Sequence, residues 1–106
     1  MYEVIYMKAD YEPWWMFEGW EEMVRLRKTF DALEEAIDFA ISIMNEMRRF
    51  FEKEKTRKGT FAAFWNPGER TYCDGCDDDM QLYHGVFLLR GSEPISFIEE
   101  SNWNIS

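Results

Sequence analysis

The sequence predicts an α+β fold in which a mainly antiparallel sheet of four to six strands packs on one long helix at about residues 31–55. Three observations predict it. Leu33, Ile37, Ala40, Met44, Met47 and Phe51 recur at alternating spacings of four and three, the period of one helix face. Ala36, Ile43 and Phe50 widen that stripe on one flank, and so wide an apolar face suits the surface of a sheet. Around this segment lie short aromatic and β-branched runs bounded by Gly, Pro, Asn and Asp, the pattern of strands and turns.

YEVIYMK reads as the opening strand, and DYEP turns the chain, with Pro13 biasing Glu12 to extended geometry. WWMF is expected to continue as a short strand. EEMVRLRK alternates Val24 and Leu26 with Arg25 and Arg27, which suits a half-buried strand. Asp31 and Glu34 form a variant of the capping box at the helix start, and Gly59 can close its far end in the left-handed conformation. TFAAFWNPGERTYC reads as a hairpin, with Pro67 fixing one φ of its turn and Gly68 supplying a positive one. CDGCDDDM is a further turn, the end of YHGVFLLRG a buried strand, and Ile95 to Ile98 an edge strand.

With 106 residues, 46% of them hydrophobic, the chain fits one domain over 1–106 that needs neither disulfides nor metal for stability. No apolar run reaches the roughly 18–20 residues of a bilayer span, and the opening carries an acid where a secretory signal carries positive charge, so a cytoplasmic protein is expected. The formal net charge of -9 disfavours nucleic acid as a partner and favours a basic one. The distribution is uneven. MRRFFEKEKTRKG holds a local excess of four positive charges, leaving thirteen negative ones for the rest of the chain.

The opening MYEVIYMKADYEPWWMFEGWEE, the middle FAAFWNPGE and the late CDGCDDDMQLYHG resemble a family of short bacterial proteins, mainly from Gram-positive species, classed as a domain of unknown function. The resemblance implies a cytosolic, single-domain protein. It carries no catalytic assignment.

Two groups of residues stand out. Trp14, Trp15, Phe17 and Trp20 lie within seven positions, rimmed by Glu12, Glu18, Glu21 and Glu22. Exposed tryptophans beside carboxylates would anchor a basic, partly apolar protein surface, so Trp14, Trp15, Phe17, Trp20, Glu21 and Glu22 are the candidate partner-binding residues. The competing reading is that the rings fill a core beneath the helix. The second group is CDGCDDDMQLYH. Cys73 and Cys76 at C-x-x-C spacing, with His84 as third ligand, could bind zinc, the fourth position falling to Asp77, Asp78, Asp79, a second copy of the chain or water. The competing reading binds nothing: Cys73 ends a strand, Asp74-Gly75 is a turn, and an aspartate caps a short helix stopped by Gly85. A redox dithiol is disfavoured by the three carboxylates after Cys76. His84, the sole histidine, would be the general base of any enzyme, but no phosphate loop, G-x-S-x-G turn or H-E-x-x-H helix accompanies it. The sequence therefore favours a non-catalytic protein-interaction or regulatory module without cofactor, with a zinc protein as the alternative and a homo-oligomer left open.

Overall fold

A computed structural model describes residues 1–73 and 78–98. Its elements are β1 (Tyr2–Ala9), a 3₁₀ turn at Pro13–Trp15, a second at Trp20–Met23, β2 (Val24–Phe30), α1 (Leu33–Phe50), β3 (Lys53–Arg57), β4 (Phe61–Trp65), β5 (Arg70–Cys73), β6 (Asp78–Gln81), β7 (Tyr83–Arg90) and β8 (Glu93–Ile95). The fold is α+β, as predicted: a six-stranded antiparallel sheet in the order β2-β1-β7-β4-β3, with β8 also on β7, carries the single long helix. Among the described residues, β5 and β6 pair only with each other.

The sheet is apolar on both faces, because β1 and β7 bury alternate residues of both parities. Val4, Val86, Leu88, Ala62 and Phe64 face the helix, which lays Ala36, Ala40, Met44 and Met47 across them. The two alanines let the helix axis approach the sheet closely. Ile5, Met7, Ala9, Phe87 and Leu89 face the other way, where Tyr11, Met16, Trp20, Met23, Val24 and Phe61 cover them. Runs buried on both faces read as continuous apolar strands, as FLL in β7 does. A register shift in β1 at Tyr6/Met7 puts Val24 opposite Met7 while Leu26 stays opposite Tyr6, so Val24 joins the face away from the helix, whereas Phe30 packs on the helix side and Leu26 is exposed.

Several expectations are corrected. The helix ends at Phe50, not near residue 55. Asn66 terminates it, donating from Nδ2 to the Phe50 carbonyl (3.1 Å) while its Oδ1 accepts from the Glu52 amide (2.8 Å). Lys53, Lys55 and Arg57 then join β3, because pairing with β4 satisfies their backbone groups. Leu33 and Phe50, assigned to the apolar stripe, are exposed, and the residue capping the helix start is Ala32, without a side-chain hydrogen bond. Gly59 closes the β3–β4 hairpin rather than the helix.

WWMF is no strand. Pro13 opens a 3₁₀ turn, where its fixed φ and missing N–H cost nothing, and Met16 (φ 44°) and Gly19 (φ 85°) break any extended run. Glu12 is extended as expected (φ -73°, ψ 150°). TFAAFW and ERTYC do not form one hairpin. β4 pairs with β3 and β7 while β5 pairs with β6, and Gly68 does not take a positive φ in the turn closed by the Glu69 amide on the Asn66 carbonyl (2.9 Å). The C-terminal edge strand is Glu93–Ile95, after which the Phe97 and Ile98 amides both donate to the Gly59 carbonyl. Gly85 sits inside β7 and stops no helix.

Candidate binding site

The aromatic segment is fixed to the sheet by one close approach. A Cβ on Gly85 would lie 2.6 Å from Pro13 Cβ and 2.7 Å from its Cγ, so the missing side chain is the seat of the proline ring. Pro13 is fully buried there. From this seat the next two residues diverge: Trp14 is half-buried and Trp15 is 51% exposed. A 3₁₀ turn places neighbouring side chains about 120° apart, which separates the two rings.

Trp14 turns toward β3, with the Arg57 guanidinium 5.5 Å and Lys55 Nζ 5.8 Å from its ring centre. Trp15 lies 5.8 Å from the same guanidinium, and its indole N–H donates to Glu12 Oε1 (3.2 Å). Together Trp14, Trp15, Arg57, Lys58 and Phe61 line a cleft of about 190 Å³. On the outer side Trp15 stacks parallel on Phe17 (5.9 Å between centres), which is also 51% exposed and meets Tyr11 edge-on (4.9 Å).

The six residues proposed for partner binding are therefore not one patch. Trp20 turns inward against Phe87 (5.4 Å) and, with Glu21, borders a separate groove that includes Met16, Arg27 and Leu89. Glu21 and Glu22 are exposed on the second 3₁₀ turn. The basic residues that meet the tryptophans, Lys55, Arg57 and Lys58, are remote in sequence, and their local pattern is that of a helix end. No local signal announces the encounter, because it depends on β4 carrying β3 alongside β7, the strand on which Pro13 sits.

The proposed metal ligands fare differently. His84 lies in β7 on the helix side, 5% exposed. Cys73 closes β5, and Cys76 and Asp77 lie outside the described residues. Among the described residues no three His, Cys, Asp or Glu side chains come together to hold a metal. Both ring nitrogens of His84 are engaged: Nδ1 with the Tyr6 hydroxyl (2.7 Å) and Nε2 with Glu69 Oε1 (2.8 Å). A carboxylate only accepts, so the neutral ring carries its proton on Nε2, and Nδ1 accepts from the tyrosine. Phe51 packs on the ring (4.3 Å) and Lys8 approaches Glu69 Oε2 (3.7 Å). Gln81 holds the Glu69 loop by donating to the Asn66 and Glu69 carbonyls. Sequence reasoning does not find Tyr6 and Glu69. The one signal it carries is Tyr6 as a polar-tipped residue in an otherwise buried strand.

The Tyr6 hydroxyl is held above its ordinary pKa of 10.0, first by burial and then by the negative charge of Glu69, with Arg25 opposing. The folded protein therefore binds the phenolic proton more tightly than the unfolded chain. The stability this contributes is fully present below pH 10.0 and is lost as pH rises through the folded value. In alkaline unfolding titrations the wild type is expected to lose stability above that pH more steeply than Tyr6→Phe. Equal slopes would show that the hydroxyl is not held in this network.

Fold and site together define an α+β protein whose antiparallel sheet is covered by a helix on one face and by an aromatic turn segment on the other. The family described as "Protein of unknown function (DUF1033)" matches residues 1–105, and the chain belongs to it. No curated protein and no solved structure matches the chain. No helix among the described residues is long and apolar enough to cross a membrane.

Proposed function

We propose that this protein is a non-catalytic protein-interaction module that docks a partner on the outer side of the aromatic turn. The observation that carries the reading is the parallel Trp15–Phe17 pair, half-exposed on both rings yet fixed in place by the buried Pro13 seat. Rigid, exposed aromatics lose little conformational entropy on binding and dominate interface energetics. Glu18, Glu21 and Glu22 are exposed nearby in sequence and supply the carboxylates that would steer a basic partner surface. The zinc alternative has weaker support, since His84 already uses both ring nitrogens within the protein.

The test is site-specific photocrosslinking in cells from position 17, with exposed Glu46 on the helix as the control position. A discrete protein adduct at 17 and none at 46 is the expected result, and equal labelling would sink the reading. With the partner identified, Trp15→Ala should weaken binding by about 2 kcal/mol or more while altering stability by under about 0.5 kcal/mol, because the ring is largely outside the core.

A further inference from the structure

We propose that the cleft between the tryptophan turn and β3 is a binding site for single-stranded nucleic acid, on the opposite side of the turn from the protein-docking surface. The register places Lys53, Lys55 and Arg57 opposite Trp65, Ala63 and Phe61, so all three cations point to the face away from the helix. Alternate residues of a strand are about 7 Å apart, which is one nucleotide's stride along an extended single strand. Lys58 continues the row at the hairpin turn and lines the cleft.

The row gathers four cations without a salt bridge on one strand and its turn, whereas Arg25, Lys28, Arg70 and Arg90, also without one among the described residues, are dispersed over other elements. Lys8, Arg27, Arg48 and Arg49 each have a carboxylate partner. Among the described residues, Lys53, Lys55, Arg57 and Lys58 form no salt bridge, in a chain with 21 acidic side chains to draw on. What they meet instead is aromatic: Lys55 and Arg57 lie over Trp14, and Arg57 also over Trp15. Trp65, beside Lys53, packs edge-on to Tyr83 (5.3 Å) and extends the row of rings along the same face. Cations that track a phosphate backbone beside rings that stack on bases are the two components of sequence-tolerant single-strand binding. The cleft, about 190 Å³, has room for a planar heterocycle.

Backbone strain points to the same place. Lys58 (φ 57°) and Gly59 (φ 67°) form a tight turn closed by the Thr60 amide on the Arg57 carbonyl (3.0 Å). Asparagine or glycine takes the first of these positions easily, whereas lysine takes it at a cost. Met16 (φ 44°), immediately after Trp15, is the other non-glycine residue with positive φ among those described. Strained residues of this kind persist where the surroundings impose them and concentrate at binding sites.

The acidic remainder of the chain does not cancel the row. At physiological salt, charges are screened over about 8 Å, and the molecule measures 44 × 35 × 21 Å. Carboxylates on the far side therefore contribute little at the cleft, while the four cations act at contact. Glu12, whose Oε1 accepts from the Trp15 indole, sets one negative charge at the turn against the four cations of the row.

The experiment is a tryptophan-fluorescence titration of the full chain with a short oligothymidylate at several salt concentrations. Saturable quenching is expected, with a log K against log salt slope of about -2 for three phosphate contacts. The triple variant Lys55→Gln, Arg57→Gln, Lys58→Gln should bind at least about tenfold more weakly and with a flatter slope. Lys58→Gly separates binding from folding, since it should raise the melting temperature by relieving the turn and still weaken binding several-fold. Absence of saturable quenching at low salt overturns the proposal, as does undiminished binding by the triple variant. Saturable binding of a polyglutamate peptide without oligothymidylate binding would assign the cleft to an acidic protein segment and overturn it equally.

Discussion

Replacing Phe87 with alanine is expected to destabilise the protein by about 3–5 kcal/mol, a large fraction of the whole stability of a domain this small. The ring is fully buried in β7 and lies between Trp20 (5.4 Å) and Phe61 (5.2 Å), where the second 3₁₀ turn packs on the sheet. Its removal leaves a cavity with an indole on one side, and the rigid backbone of a central strand cannot collapse to fill it. Urea unfolding measures the loss, and the melting temperature should fall by at least about 10 °C for a domain of this size. Trp20→Ala removes the partner from the same contact, so the double variant should cost less than the sum of the singles. Additivity, or a loss under about 1.5 kcal/mol for Phe87→Ala, would mean that the aromatic segment does not cover this face in solution.

Gly85→Ala is expected to cost about 1–3 kcal/mol through overpacking. The added methyl meets Pro13 Cβ and Cγ at 2.6 and 2.7 Å, and neither a prolyl ring nor a central β-strand can give way cheaply. Its consequence reaches the site. Pushing Pro13 off its seat displaces Trp14 and Trp15 together, so binding through either side of the turn should weaken along with stability. Pro13→Gly removes the opposing atoms and should restore part of the stability of Gly85→Ala, with a coupling of at least about 1 kcal/mol in the rescuing direction. Such a rescue sets a steric seat apart from a general intolerance of side chains in β7. Without it, the role of Gly85 lies in the strand itself.

Parts of this structure follow from local pattern. The amphipathic period across Leu33–Phe50 specifies a helix, since residues three and four apart share a face by geometry alone. The run YEVIYMK specifies β1, the end of YHGVFLLRG specifies the apolar part of β7, and β2 is legible in its alternation. The single helix and the antiparallel sheet are therefore readable, as is the prominence of the tryptophan cluster.

The remainder was decided by contacts between distant segments. Residues 51–55 continue the helix pattern in sequence, yet Asn66 caps the helix at Phe50 and β4 supplies the hydrogen bonds that make Lys53–Arg57 a strand. Propensity differences of tenths of a kcal/mol per residue yield to a whole ladder of backbone pairs. Trp14 and Trp15 part company because Pro13 needs the space above Gly85, 72 positions later in the chain. Likewise His84 finds Tyr6 and Glu69, because β7 lies beside β1 and the Asn66–Glu69 turn folds over its end. Amino-acid order determined which segments are helical or extended and where charge and aromatic rings are concentrated. Only the tertiary structure decided which rings face solvent and which cations meet them, because side-chain exposure depends on what packs against a segment and local sequence does not encode its neighbour.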